Sequence, residues 1–269
     1  FVACGTNNIT SCISGNGGSG NDNFLVGACA GNSMAQYGAF NAFIGYCTGL
    51  SNTYGSYNTF VGFQTGQSNT TGCYNNFFGF RAGRYNDYGC HNNFLGRHSG
   101  HNNTTGSKNN FLGRDSGYSN TTGNYNNFIG DYTGYCNTSG GYNNFLGRIA
   151  GFNNTSGRYN NFFGNKAGYS NTTGNYNVFM GNYAGADNTT ASGGVFIGRF
   201  AGRKNTTGDS NTFIGQCAGA YNTTGKKNVI IGHYGGYCNT TGCCNNFIGP
   251  FAGNANTTGN FNNFIGTNA

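Results

Sequence analysis

Glutamate and tryptophan do not occur in this chain of 269 residues, proline occurs once, and the only acids are six aspartates. Charged residues make up 7%, against about 25% in ordinary soluble domains. Acid–base chemistry therefore has few reagents, and four histidines add little. No catalytic residue, no enzyme activity and no cofactor is expected. Strong helix formers are scarce, while Gly and Asn resist helix interiors, which excludes a helix-rich fold. No apolar run approaches the ~18 residues that cross a membrane as a helix, so no membrane insertion is expected. The formal net charge of +7 is spread thinly, without the basic cluster that marks a nucleic-acid partner.

What the chain does have is 51 Gly, 49 Asn, 24 Phe and 19 Tyr. The Gly and Asn alone would read as low complexity, but a disordered segment does not carry so many phenylalanines. Periodicity explains the bias. The glycine ending each F-I-G-like triplet recurs at Gly45, Gly62, Gly79, Gly96 and on to Gly266 at an unbroken interval of 17, with Gly27 one step earlier at 18. The consensus is G-x-x-[AST]-G-x-x-N-T-T-G-x-Y-N-N-F-[IL]. Such register is what a solenoid demands, because each coil must lie on its neighbour at about 4.8 Å. Helical-pair repeats and propeller blades need longer units. The sequence therefore predicts an all-β fold, a single parallel β-solenoid (β-roll) of about 14 coils over residues 25–269 and ~70 Å long. Glycines supply positive φ at its corners, and small residues such as Ala82, Ser99 and Ala150 fit a narrow interior.

Columns of like residues follow. Phe60, Phe77, Phe94 and their successors form one, interrupted by Ile230; Val61, Phe78, Leu95 and theirs form the next. Adjacent strand residues face opposite ways. One column fills the coil, and the other makes an exposed apolar stripe that partner subunits side by side would cover. The alternative is a corner that tucks both inside.

Residues 1–24 are off pattern and read as a cap or an intersubunit arm. At the other end nothing after Gly266 caps the last coil. Either a cap lies beyond the last residue, or the next subunit completes the coil at an assembly end built on Phe264 and Ile265. The second reading makes the chain its own partner in a head-to-tail homopolymer.

One Asn column is invariant from Asn52 to Asn256. Asn69, Asn103, Asn120, Asn137, Asn154, Asn171, Asn188, Asn205, Asn222, Asn239 and Asn256 stand in N-x-[ST] triplets, as do Asn8, Asn102 and Asn153, which makes them candidates for N-linked glycans. The other reading is a structural amide ladder. Asn52 and Asn86 keep the Asn without the acceptor Thr, so the residue has a role without sugar. A second column, Asn75, Asn92, Asn109 and onward, lies outside such triplets and reads as structural. The Thr pairs give a weak match to faces that order ice.

Eleven Cys point to an oxidising, extracellular or cell-surface setting. Cys29 with Cys47, and Cys73 with Cys90, are equivalent positions of adjacent coils. Their Cα atoms would stand about 5 Å apart, so both pairs are expected as disulfides, with Cys4–Cys12 near the N-terminus. Cys217, Cys238, Cys243 and Cys244 cluster without an assigned pairing, and Cys136 is left over. No C-x-x-C spacing suggests zinc, and the aspartates share no column, which excludes a calcium solenoid. His98 and His101 read as exposed turn residues.

The units YNNFIGDYTGYCNTSG, YNNFFGNKAGYSNTTG and NTFIGQCAGAYNTTG resemble the N-T-A-L-G-x-x-A-L-x-x-N-T-T-G repeats of bacterial and phage tail-fibre-like surface proteins. Those in turn are similar to the S-V-A-I-G repeats of trimeric autotransporter adhesin heads. The resemblance covers about residues 25–269 and implies a β-roll, trimeric packing and a role in adhesion or surface fibres. It carries over no catalytic residue. Phe stands here where those repeats have Ala, and Cys is far more frequent. The leading expectation is a structural subunit of an extracellular fibril; the alternatives are a trimeric adhesin or tail-fibre shaft binding cell-surface glycans, and an ice-binding protein.

Overall fold

A computed structural model describes residues 22–34 and 38–269, which contain fifteen strands of three residues and no helix. The fold is an all-β solenoid of about fourteen parallel coils, and contacts divide it into two units, Phe1–Tyr132 and Thr133–Ala269. In the first, β1 (Phe24–Val26) pairs with β2 (Ala42–Ile44), and five further strands follow to β7 (Asn127–Ile129). In the second, β8 (Asn144–Leu146) opens a series that ends at β15 (Asn263–Ile265). Within each unit every strand pairs in register with the strand one repeat later: Phe60 with Phe77, Phe145 with Phe162. The β1–β2 step is 18 residues, Phe24 opposite Ala42, as the offset of Gly27 requires.

Each strand turns its middle residue inward. Phe43, Phe60, Phe77, Phe94, Phe111 and Phe128 are fully buried in the first unit, as are Phe145, Phe162, Phe179, Phe196, Phe213, Ile230 and Phe247 in the second. Coil spacing dictates how they pack. Rings in register stand 4.7–4.9 Å apart between Phe43 and Phe128, within 8° of parallel. Coplanar rings at that centroid distance are offset-stacked, the arrangement their quadrupoles favour. Beside them the small interior column is buried, with Ala82, Ala150, Ala167, Ala184 and Ala201 at zero exposure. Where Ser or Thr replaces Ala, its hydroxyl donates to a backbone carbonyl, as Ser99 does to Phe111 at 2.8 Å and Thr65 to Gly79 at 2.6 Å.

Two glycines per coil have no substitute. At Gly66, φ is +55° and a Cβ would stand 2.5 Å from Phe60 Cε2; at Gly62, φ is +137° and a Cβ would meet the Gly79 carbonyl oxygen at 2.5 Å. The remaining corners are a surprise of the structure. Two more columns hold φ between +50° and +60° with bulky residues, Tyr57, Tyr74, Tyr125 and Tyr142 in one, Gln64, Arg81, His98 and Asp115 in the other. The left-handed region costs a non-glycine residue of order 1–2 kcal/mol. Here it turns the N–H back to the preceding coil, so that Tyr74 donates to Ser56 O and Gln64 to Tyr46 O, while neighbouring N–H groups serve the following one.

The outer strand residues settle the expectation about paired apolar columns: no corner tucks both inside. Ile44 is 38% exposed, Phe78 40% and Met180 41%, and their equivalents are half-buried or exposed. This difference sets the outcome of paired substitutions. Phe111→Ala is expected to cost about 3–5 kcal/mol through its cavity, and Leu112→Ala only about 1 kcal/mol, when unfolding is followed in denaturant.

Candidate functional surfaces

The two Asn columns build the interior opposite the phenylalanines. Asn69 Nδ2 donates to Asn52 Oδ1 at 2.7 Å and to Gly72 O at 3.0 Å; Asn86 and Asn103 repeat both bonds one coil further on. The second column reaches the same glycine carbonyl from the other side, Asn58 Nδ2 to Gly72 O at 2.8 Å, and its Oδ1 accepts the backbone N–H of Asn75. Both amide hydrogens of the first column are thus spent inside the coil.

That placement corrects the glycan expectation. Asn69, Asn103, Asn120, Asn137, Asn154, Asn171, Asn188, Asn205, Asn222 and Asn239 are wholly buried, and Asn256, half-buried, makes the same two bonds. A glycan attaches through the nitrogen that donates these bonds, so the folded chain presents none of the eleven as an acceptor. Asn86, lacking the Thr, sits in the ladder like its neighbours. Asn102 and Asn153 are half-buried at the surface, and Asn8 lies outside the described residues.

Cys29, Cys47, Cys73 and Cys90 are free thiols, as are Cys136, Cys217, Cys238, Cys243 and Cys244. The expected bridges are not formed, although the two thiols of each pair neighbour one another across the coil step. Residues in register are related by a translation of about 4.8 Å, so their Cβ atoms keep that separation, whereas a disulfide draws them to roughly 3.5–4.5 Å. Cys73 and Cys90 have another task. They belong to a corner column in which a side chain accepts the backbone N–H of the preceding coil: Ser56 N to Cys73 Sγ at 3.3 Å, Cys73 N to Cys90 Sγ at 3.2 Å, Cys90 N to Ser107 Oγ at 3.0 Å, Ser107 N to Asn124 Oδ1 at 2.7 Å. Cysteine there does the work of serine and asparagine, and Cys243 repeats it for Lys226. Burial pushes the thiols of Cys47, Cys90 and Cys136 up from their ordinary values, which suppresses the thiolate that oxidation needs. Cys4 and Cys12 lie outside the described residues.

Outside, the strands that begin with Asn pair the apolar stripe with an amide ladder that sequence reasoning passed over. Asn93 donates to Asn110 and Asn110 to Asn127, each at 2.9 Å; Asn144 donates to Asn161 likewise. In the first unit exposed aromatic columns flank this face, Tyr46–Phe63–Phe80 at 5.2 and 5.3 Å and Tyr57–Tyr74 at 4.8 Å. With Ile44 and Phe78 they are 38–50% exposed. At 150–250 Å² per aromatic side chain these seven residues show roughly 600 Å² of apolar surface, at the upper limit for the largest patch of a monomer.

His98 and His101 depart from the expected exposure. His101 is buried and stacked on Tyr118 at 4.9 Å, and His98 Nδ1 lies 3.1 Å from Asp115 Oδ1. Burial holds the His101 imidazole below its ordinary pKa. Among the described residues no three His, Cys, Asp or Glu gather as a metal site. The Thr after each ladder Asn spends its hydroxyl on the next coil, Thr104 on Thr121 O and Thr155 on Thr172 O, both at 3.1 Å. Phe264 stacks on Phe247 at 5.2 Å and is half-buried, while Ile265 is 64% exposed.

Two outcomes follow. Asn103→Asp replaces a donating nitrogen by an oxygen facing Asn86 Oδ1 and Gly106 O, and should destabilise the fold by about 3 kcal/mol or more, whereas peptide mapping of native material should find the eleven ladder asparagines unmodified. Alkylation after unfolding without reductant should label Cys29, Cys47, Cys73 and Cys90, and a band of linked peptides between them would contradict the free-thiol geometry. Comparison with protein-family models, with curated proteins and with solved structures finds no match to this chain in any of the three.

Proposed function

We propose that the chain is a structural subunit of an extracellular fibril, in which solenoids add end to end and pack laterally. The observation that carries this reading is the equivalence of successive coils. The upper face of one coil meets the lower face of the next through the same ladders at each step within each unit: strand pairs, phenylalanine stacks and amide chains one repeat apart. An interface that fits its own translated copy is heterologous and does not close, and heterologous contacts that do not close make filaments. The binding energy that folds the chain is then available between chains without any dedicated docking residue.

Lateral packing is supported by the face of β2 and its two successors at Thr59–Val61 and Asn76–Phe78. Its roughly 600 Å² of exposed apolar surface approaches the ~800 Å² that each partner contributes to a stable interface. Further along the first unit, from Asn93 to Asn127, the apolar ladder runs beside an amide ladder at strand spacing, the composition of dry inter-sheet interfaces in fibrils. A second copy of the same face would cover it. The extracellular setting rests on the likeness of the repeat to surface-fibre proteins, and cysteine pairing has no part in it.

Electron cryo-microscopy of the native material tests the proposal. Filaments with a 4.8 Å axial layer line and no interruption between subunits are expected, and Phe78→Lys should separate them into single solenoid strands. Discrete threefold particles would instead favour the adhesin or tail-fibre shaft.

A further inference from the structure

In the second unit a half-buried aromatic ladder misses one rung. The corner column with φ near +58° runs Tyr183, Phe200, Cys217, Tyr234 and Phe251. Ring centroids of Tyr183 and Phe200 are 5.5 Å apart, and those of Tyr234 and Phe251 5.7 Å. Between the two pairs stands Cys217. Three residues later the same coil carries Ala220, where the coils on either side carry Arg203 and Tyr237. Both small side chains are buried, and they floor a cavity of about 170 Å³.

The dimensions select a ligand. Phe200 and Tyr234 are two coils apart, about 9.6 Å of backbone translation, and the cavity lies between them with the Tyr234 hydroxyl turned towards Cys217. A dry cavity of about 150 Å³ takes a benzene molecule, so this volume suits a single six-membered ring with a small substituent. Charge then selects the substituent. Arg203 lies over the Phe200 ring at 5.4 Å, and the ion pairs found among the described residues do not include it. Lys204 at the rim shares its charge with Asp187 at 3.2 Å. Arg199, Arg203, Lys204, Lys226 and Lys227 stand against two acids, Asp187 on Lys204 and Asp209 on Lys226. On the remaining wall the hydrogen bond that Tyr237 donates to Tyr221 pushes Tyr237 up to about 12, so its phenol stays protonated at neutral pH.

We propose that this pocket is a binding site for a small planar aromatic carboxylate, its ring in the missing rung between Phe200 and Tyr234 and its carboxylate on Arg203. The site serves a ligand and takes no part in the ladders that hold the coils together, so it stands whether or not the chain forms a fibril.

Calorimetric titration of the full chain with benzoate, and with benzamide as its neutral isostere, tests the proposal. Benzoate should bind saturably at one site, about tenfold or more tighter than benzamide, the margin of a charge-assisted hydrogen bond. Arg203→Gln should bring benzoate down to the benzamide level without affecting benzamide. Cys217→Phe should abolish binding of both by restoring the rung; the backbone accepts a phenylalanine in this column, as Phe200 and Phe251 already hold the same φ. Absence of saturable benzoate binding, equal affinity for the two probes, or binding retained in Cys217→Phe would each overturn the proposal. Arg203 is exposed, so its substitution leaves folding intact and decides the matter should the Cys217 variant not fold.

Discussion

The spacing of hydrogen-bonded strands, close to 4.8 Å, governs everything else in this molecule. Each residue finds its counterpart one repeat away at that distance, so a side chain is admitted to a column only if it tolerates a copy of itself there. Phenylalanine does, because offset rings meet at 4.7–4.9 Å. Asparagine does, because its amide donates at one end and accepts at the other. Like charges are disfavoured, since two of them at 4.8 Å repel by about 1 kcal/mol even in water, and Arg97 with Arg114 is the one such pair a single repeat of 17 apart in the sequence. The 7% charged composition follows from the architecture. Where charges do occur they tend to alternate between coils: His98 with Asp115, Arg114 with Asp131, Asp187 with Lys204 and Asp209 with Lys226 are each 17 residues apart. Being largely exposed, the last three add little to stability.

The same translation explains why the corners are strained and why that strain is tolerated. A narrow coil must reverse the direction of its hydrogen bonding, and left-handed residues accomplish this at two points besides the glycines. A glycine is obligatory only where a Cβ would strike the phenylalanine stack or the next coil's backbone, as at Gly66 and Gly62. Elsewhere the corner points outward, the side chain has room, and tyrosines use it to stack on one another, Tyr159 on Tyr176 at 5.0 Å. The stacking and the returned backbone hydrogen bond offset the local cost.

Surface properties beyond coil-on-coil stacking lie in departures from the repeat. The regular columns bind only the next coil. A missing ring at Cys217, a run of outward aromatics over three consecutive strands and the His98–His101 pair are the places where one coil differs from its neighbours. Each gives the surface a property that translation alone would not supply.

The sequence by itself determined the fold class, the coil length, the 18-residue first step and the buried phenylalanine column, because a period of 17 with an invariant glycine admits only stacking in register. It also identified an outward apolar stripe, since alternation along a strand needs nothing beyond the residue order. The tertiary structure alone decided which face each asparagine takes. Asn103 reads equally as a glycan acceptor or a ladder amide until its two hydrogens are seen on Asn86 and Gly106. It decided the thiols as well. Cys73 and Cys90 are correctly placed in adjacent coils by their spacing, but spacing fixes only the separation of Cα atoms, while bonding depends on the separation of the Cβ atoms and on the N–H each sulfur already accepts.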